Sequence, residues 1–178
     1  SLSTKSHFPP LDAKFSIGCY EMDKVRAEIL THTAAGTAAA RILISAPART
    51  IFDFLADPHT HAYFDGSTTV QKAFGPMERL ALGSRFGMRM KIYIPYRITN
   101  TVTGFDDASF ISWKHLGGWT WSYSLREIGL NETEVTETFD LNTAPRLGQW
   151  WANRTDSLTR NPKWMAKSLV LLKALSEQ

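Results

Sequence analysis

The sequence predicts an α+β domain in which hairpin-linked antiparallel strands meet one long C-terminal helix. Three observations carry this. From Thr68 to Leu141 apolar residues recur largely with period two, the signature of half-buried strands. Turn residues punctuate that region at Gly75-Pro76, Asp106-Asp107, Gly117-Gly118 and Gly129 to Glu132. From Leu147 onward the period becomes helical: Trp151, Leu158, Met165 and Leu172 recur every seven residues, with Leu147 and Leu169 in the same stripe.

Taken in order, residues 1–36 read as an N-terminal extension and 37–178 as the domain proper. Ser1 to Pro10 is polar, and because the first methionine is Met22, part of this stretch reads as an upstream tail. Glu21 to His32 carries Met22, Val25 and Ile29 on one face, which predicts a short helix. Ala34 to Ala38 reads as a linker. Ile42 and Ile44 alternate as in a strand. Pro47 suits the first turn of a helix, where its missing N–H costs nothing. Ile51, Phe52 and Leu55 then recur at helical spacing until Pro58, which disfavours helical geometry at Asp57. His59 to Phe64 predicts a second short helix, and Asp65-Gly66 turns the chain. Six strands follow. Phe86, Met88, Met90, Ile92 and Ile94 share one face, with Arg85, Arg89, Lys91 and Tyr93 on the other. Asn161-Pro162 predicts a kink or restart in the last helix, with Asn161 as its cap.

Composition narrows the function classes. At 178 residues, 43% hydrophobic and 21% charged, the chain suits one globular domain with an appendage. The net charge of +3 is scattered rather than gathered in blocks, which does not suit nucleic acid. The single cysteine, Cys19, excludes an internal disulfide and fits a reducing compartment, so a cytoplasmic location is expected. No apolar run is long enough for stable membrane insertion.

Ser45-Ala46-Pro47 leading into Ile51-Phe52-Asp53-Phe54-Leu55-Ala56-Asp57-Pro58 resembles the START-like (Bet v 1-like, SRPBCC) superfamily, in particular its polyketide cyclase/dehydrase-like group. Leu82 to Phe86, Trp113 and Thr136 to Asp140 add to the resemblance, which covers about residues 39–176. It implies a helix-grip fold: a seven-stranded curved antiparallel sheet wrapped around the C-terminal helix, with two short helices after the first strand. The ligand site then lies between sheet and helix. The superfamily includes carriers, cyclases, hydroxylase domains, co-chaperones and receptors, so fold alone does not select a function.

Strand parity shows which side chains face that space, because a one-residue slip would turn every side chain over. Centring the last hairpin on Leu130 places Tyr123 opposite Glu137, Trp121 opposite Phe139 and Leu125 opposite Val135. A three-residue loop, Leu116 to Gly118, matches Trp113 with Trp121 and Ile111 with Tyr123, and glycine permits the left-handed residue such loops use. A two-residue turn at Asp106-Asp107 aligns Asn100 with Trp113 and Ile98 with His115. Asn100, His115 and Glu137 are therefore the polar residues expected on the inward face. Phe86, Met88, Met90, Ile98, Trp113, Trp121, Tyr123 and Phe139 line it from the sheet, and Trp151 and Met165 from the helix. Glu137 beside Tyr123 is expected to have a raised pKa, which favours acid–base work. His115, four residues along the sheet from Glu137, reads as a solvent-edge residue rather than its dyad partner. On the plainer reading, Asn100 satisfies buried backbone groups.

Other signals are weaker. Asp57, His59, His61 and Asp65 form the nearest approach to a metal cluster, but the first pair brackets Pro58 at a helix junction, no Cys or Glu-x-x-His partner lies nearby, and they read as caps and surface residues. No metal or cofactor is expected. Cys19 has no patterned His nearby. Trp150 reads as more exposed than Trp151. The leading expectation is a module that binds a hydrophobic small molecule: lipid, isoprenoid, aromatic or polyketide-like. A second is a cyclase or dehydratase using Glu137, with Tyr123 and Asn100 polarising a carbonyl. A third is a protein-contact or co-chaperone-like domain with an exposed apolar patch around Trp150. A homodimer remains open.

Overall fold

A computed structural model describes residues 25–75, 78–91 and 93–178. Its strands are β1 (Glu28–Leu30), β2 (Thr37–Ile44), β3 (Val70–Phe74), β4 (Arg85–Lys91), β5 (Pro95–Asp106), β6 (Phe110–Lys114), β7 (Thr120–Gly129) and β8 (Glu132–Asp140). Between β2 and β3 lie α1 (Ala48–Ala56), a 3₁₀ turn (Pro58–Thr60) and α2 (His61–Phe64); α3 (Arg146–Arg154) and α4 (Ser157–Ser176) end the chain. All pairings are antiparallel, in the order β1-β2-β8-β7-β6-β5-β4-β3. The curved sheet wraps around α4, which is the helix-grip arrangement.

The sheet has eight strands rather than seven. The additional one is β1, whose Glu28, Ile29 and Leu30 pair with Arg41, Ala40 and Ala39. These residues were expected within a helix over Glu21 to His32. The edge of β2 offers unpaired backbone groups that the short segment satisfies, and the Arg41 guanidinium donates to the Glu28 carboxylate at 2.7 Å. The earlier part of that expected helix, and Cys19, lie outside the described residues.

Helix α1 starts directly after Pro47 and buries Ile51, Phe52, Leu55 and Ala56. At its end the Asp57 carboxylate accepts from the His59 N–H at 2.9 Å, the capping role its position suggested. Asp65 accepts from the Ser67 and Val70 N–H groups and from the Ser67 hydroxyl, which shapes the turn into β3. Gly66 must be glycine because the backbone passes tightly against α4. A Cβ there would lie 2.3 Å from the Trp164 carbonyl oxygen, while the Gly66 N–H donates to Ser168 Oγ at 2.8 Å.

The C-terminal helix does not break where expected. Asp156 adopts a left-handed conformation (φ 54°) and separates α3 from α4, whereas Pro162 lies inside α4. Asn161 is thus a buried helical residue, not a cap. Pro162 forfeits one bond to the Leu158 carbonyl, a cost tolerated near the helix start because the following turns are anchored in the core. Met165, Leu169 and Leu172 form the buried stripe. The break resets helical phase, so Trp151, expected to continue that stripe, is exposed like Trp150. Among the described residues no helix is long and apolar enough to cross a membrane.

Candidate functional site

The inner face of β4 to β8, together with α2 and α4, encloses a cavity of about 230 Å³. Parity carried most sheet residues to it. Tyr123 pairs with Glu137, Trp121 with Phe139 and Leu125 with Val135. Trp113 pairs with Trp121 and Ile111 with Tyr123, across a loop in which Gly118 takes a positive φ of 94°. Phe86, Met88, Met90, Ile98, Asn100, Trp113, His115, Trp121, Tyr123, Glu137, Phe139 and Met165 all line the cavity, and Trp151 does not.

The β5–β6 alignment differs from expectation. Val102, not Asn100, lies opposite Trp113, and Thr101 lies opposite Lys114. The turn is longer than two residues, with Ala108 in the left-handed region (φ 64°), and a bulge between Val102 and Gly104 takes back one position. The net slip is two residues, so parity survives and Asn100 still points inward, level with His115 rather than with Trp113.

Glu137 is the most unusual group in the cavity. It is 4% exposed, and its Oε2 is buried without a hydrogen-bond partner among the described residues. Burial raises its pKa to about 8, opposed by the neighbouring Tyr123 hydroxyl and supported by the negative charge of Asp65. At neutral pH the carboxyl is therefore mostly protonated and able to donate as well as accept. Tyr123 is pushed well above its ordinary value, by burial first and then by Glu137.

Two histidines present complementary ring nitrogens. His61 Nε2 lies 2.9 Å from the Leu55 carbonyl oxygen and must carry the proton to bond it, which leaves Nδ1 as an acceptor. The ring stacks on Trp113 at 5.2 Å, and burial lowers its pKa to about 4. It was expected among surface and capping residues; the signal available was its i, i+3 spacing with Phe64, which puts both on one buried face of α2. His115 Nδ1 accepts from the Gly117 N–H at 3.0 Å, so Nε2 bears the proton. It stacks on Trp119 at 4.6 Å, and burial lowers its pKa to about 4. It is half-buried at the β6–β7 tip, at the edge of the cavity wall, and lines the cavity as a neutral imidazole. Along the strands, His115 and Asn100 stand four residues from the level of Glu137, roughly 13 Å at strand rise.

Tyr96, Arg160 and Trp164 line the outer part of the cavity and were not foreseen. The Arg160 guanidinium lies over the Trp164 ring, 4.6 Å from its centroid. Their facing depends on helix phase, which the break at Asp156 sets. Among the described residues there is no group of three or more His, Cys, Asp or Glu side chains that could hold a metal ion.

No protein-family model matches the chain. Two curated relatives are similar. An uncharacterized protein of Mycobacterium tuberculosis strain H37Rv is 36% identical over 110 residues, 61% of this chain and 49% of that protein. Its counterpart in strain CDC 1551 is 34% identical over the same extent. The chain thus spans about half the length of the curated relatives it matches. Among solved structures, a protein from Arthrobacter aurescens superposes with a TM-score of 0.64 at 13% identity, covering 83% of this chain and 90% of that one. The Zhui aromatase/cyclase from Streptomyces sp. R1128 gives 0.57 at 14% identity, covering 79% and 93%. A polyketide-cyclase-like protein from Corynebacterium glutamicum gives 0.53 at 16% identity, covering 80% and 91%. The chain shares the fold of these solved structures, which include an aromatase/cyclase and a polyketide-cyclase-like protein.

Proposed function

We propose that the protein binds a compact, largely apolar molecule of one or two rings carrying a carbonyl or hydroxyl group, with Glu137 as its innermost polar contact. The observation that carries this is the buried, unpartnered Glu137 Oε2 at the cavity wall. An orphaned buried polar atom costs about 1–3 kcal/mol, a cost that a ligand hydrogen bond removes. The volume favours an aromatic or short polyketide-like occupant over a long acyl or isoprenoid chain. At about 230 Å³ it exceeds the ~150 Å³ void that holds benzene and falls short of the roughly 300–1,000 Å³ typical of drug-sized ligands. Trp113, Trp121 and Phe139 offer ring faces, and Met88 and Met90 adapt to shape. Asn100 and the His115 Nε2–H supply a second polar anchor at the far side.

Native mass spectrometry of the purified protein tests this directly, the expected result being a retained small molecule. Glu137→Gln is expected to weaken binding of that molecule about tenfold, the worth of the one hydrogen bond that the protonated carboxyl makes to it. An empty protein that also fails to bind aromatic carbonyl probes would refute the reading.

A second reading, proton transfer on an enolisable polyketide-like chain, is favoured by the same residue. A carboxyl with pKa about 8 beside a tyrosine suits an acid–base group, and two of the similar structures carry cyclase names. In this reading the ionised fraction of Glu137, which grows as pH rises toward 8, takes a proton from the carbon next to a ketone while Tyr123 donates a hydrogen bond to the developing oxyanion. Asn100 stands too far along the sheet to share that oxygen with Tyr123. Turnover that survives in Glu137→Gln would remove the mechanism while leaving binding intact.

A further inference from the structure

Helix α3 turns its apolar stripe outward. Leu147, Trp150 and Trp151 follow i, i+3, i+4 spacing on one face and are 76%, 56% and 57% exposed, while Ala152 is the helix's buried residue. Arg146 precedes this face and Arg154 ends it. Three large apolar side chains held in water on one helix face mark an interaction surface.

Strand direction places the face at the cavity mouth. β4, β6 and β8 all finish at the same end of the sheet, and their exits leave Tyr93, Ile94 and Leu116 exposed there. α3 sits against the β6–β7 tip, since a methyl group added to Gly148 would lie 2.3 Å from the Gly117 carbonyl oxygen. α4 then begins two residues after α3 and carries Arg160 and Trp164 to the mouth. The same end presents Lys91, Arg146, Arg154, Arg160 and Lys163. None of these forms an ion pair among the described residues, where the paired cations are Arg41, Arg49, Arg79, Arg126 and Lys173. Among the described residues, Asp156 is the exposed acid near them, while Asp140 at the end of β8 and Asp65 in the cavity lining are half-buried.

We propose that this end docks peripherally on an anionic bilayer surface, with α3 in the interface and the cavity mouth facing the lipid. Trp and Leu enter the headgroup–acyl boundary, where tryptophan is favoured, and the arginines meet lipid phosphates. Charge selects this occupant over a second copy of the chain, because a two-fold contact through this face would bring both sets of unpaired cations together. The inference does not depend on which molecule the cavity takes.

Flotation of the full chain with vesicles tests it. Vesicles of phosphatidylcholine mixed equally with phosphatidylglycerol are expected to bind at least about tenfold more protein than pure phosphatidylcholine, with tryptophan emission shifting to the blue. The triple variant Leu147→Ser, Trp150→Ser, Trp151→Ser is expected to lose this binding about tenfold while keeping the wild-type circular dichroism spectrum. Arg146→Gln with Arg154→Gln is expected to lose the preference for the anionic mixture. Absence of binding to either vesicle, or equal binding by wild type and triple variant, would overturn the proposal. So would a wild-type dimer that the triple variant disperses, or selective capture by an acidic protein surface with no vesicle binding. Uptake of a hydrophobic dye by the cavity, measured without vesicles, is expected to be equal in wild type and triple variant, so a failed cavity reading leaves the vesicle result interpretable.

Discussion

At the end of the sheet where β5 and β7 finish, charges are paired and rings are packed. Arg79 donates to both Asp53 and Asp107, Arg49 donates to Asp107, and the Arg79 guanidinium lies 5.5 Å from the centroid of the Phe52 ring, which meets Phe105 edge-on. Near that end too, Glu177 accepts from the Ser45 N–H and from Lys173. At the opposite end the cations named above have no such partners among the described residues, tryptophans face water, and the interior is hollow. The first end is organised for stability. The second leaves binding groups unsatisfied, which costs stability unless something occupies them.

Mutation can break this contrast. The largest effect is expected from Phe52→Ala at the closed end, where a fully buried ring leaves a cavity: a loss of about 3–5 kcal/mol in urea unfolding. A loss below about 1 kcal/mol would mean that the closed end is not the stabilising half.

The next effect is a slope with pH. Glu137 has a folded pKa of about 8 against an ordinary 4.5, so the native state holds a proton that the unfolded chain releases between those values. Its contribution is full below pH 4.5 and is lost as pH rises toward 8, at up to about 1.4 kcal/mol per pH unit. Glu137→Gln is expected to flatten that limb in unfolding measured across the range. His61 and His115 act in the opposite sense. Their pKa values of about 4 against 6.5 give stability that is present above pH 6.5 and lost as pH falls toward 4. His61→Gln is expected to reduce the acid loss and leave the alkaline limb unchanged.

The smallest effect belongs to the mouth. Trp150→Ser or Trp151→Ser is expected to change unfolding free energy by no more than about 0.5 kcal/mol, because neither side chain packs in the core. A loss above about 2 kcal/mol would show that α3 carries stability rather than an interaction surface.

Much of the cavity was legible before the structure because strand parity is local. Glu137, Tyr123, Trp121 and Phe139 are placed by a single hairpin whose register its turn dictates. Even the error between β5 and β6 did no harm, since the lengthened turn and the bulge sum to an even slip and Asn100 keeps its face. Helical residues were less legible. Trp151 was placed inside, Asn161 was read as a cap, and Arg160 and Trp164 were missed, all for one reason: a helix face depends on where the helix begins. The left-handed Asp156 that restarts α4 sits in Thr155-Asp156-Ser157, a turn signal weaker than the conspicuous Asn161-Pro162, which passes within the helix.

The sequence by itself determined the order of elements, the antiparallel pairing and the inward set on the sheet, since these follow from period, turn chemistry and parity over a few neighbouring residues. Only the tertiary structure decided that β1 joins the sheet, that His61 lies neutral against Trp113, that Glu137 keeps an unpartnered oxygen, and that the tryptophans of α3 face outward. Each of these depends on burial and on contacts between segments far apart in the chain; the i, i+3 spacing of His61 and Phe64 points to a buried face but not to what packs against it.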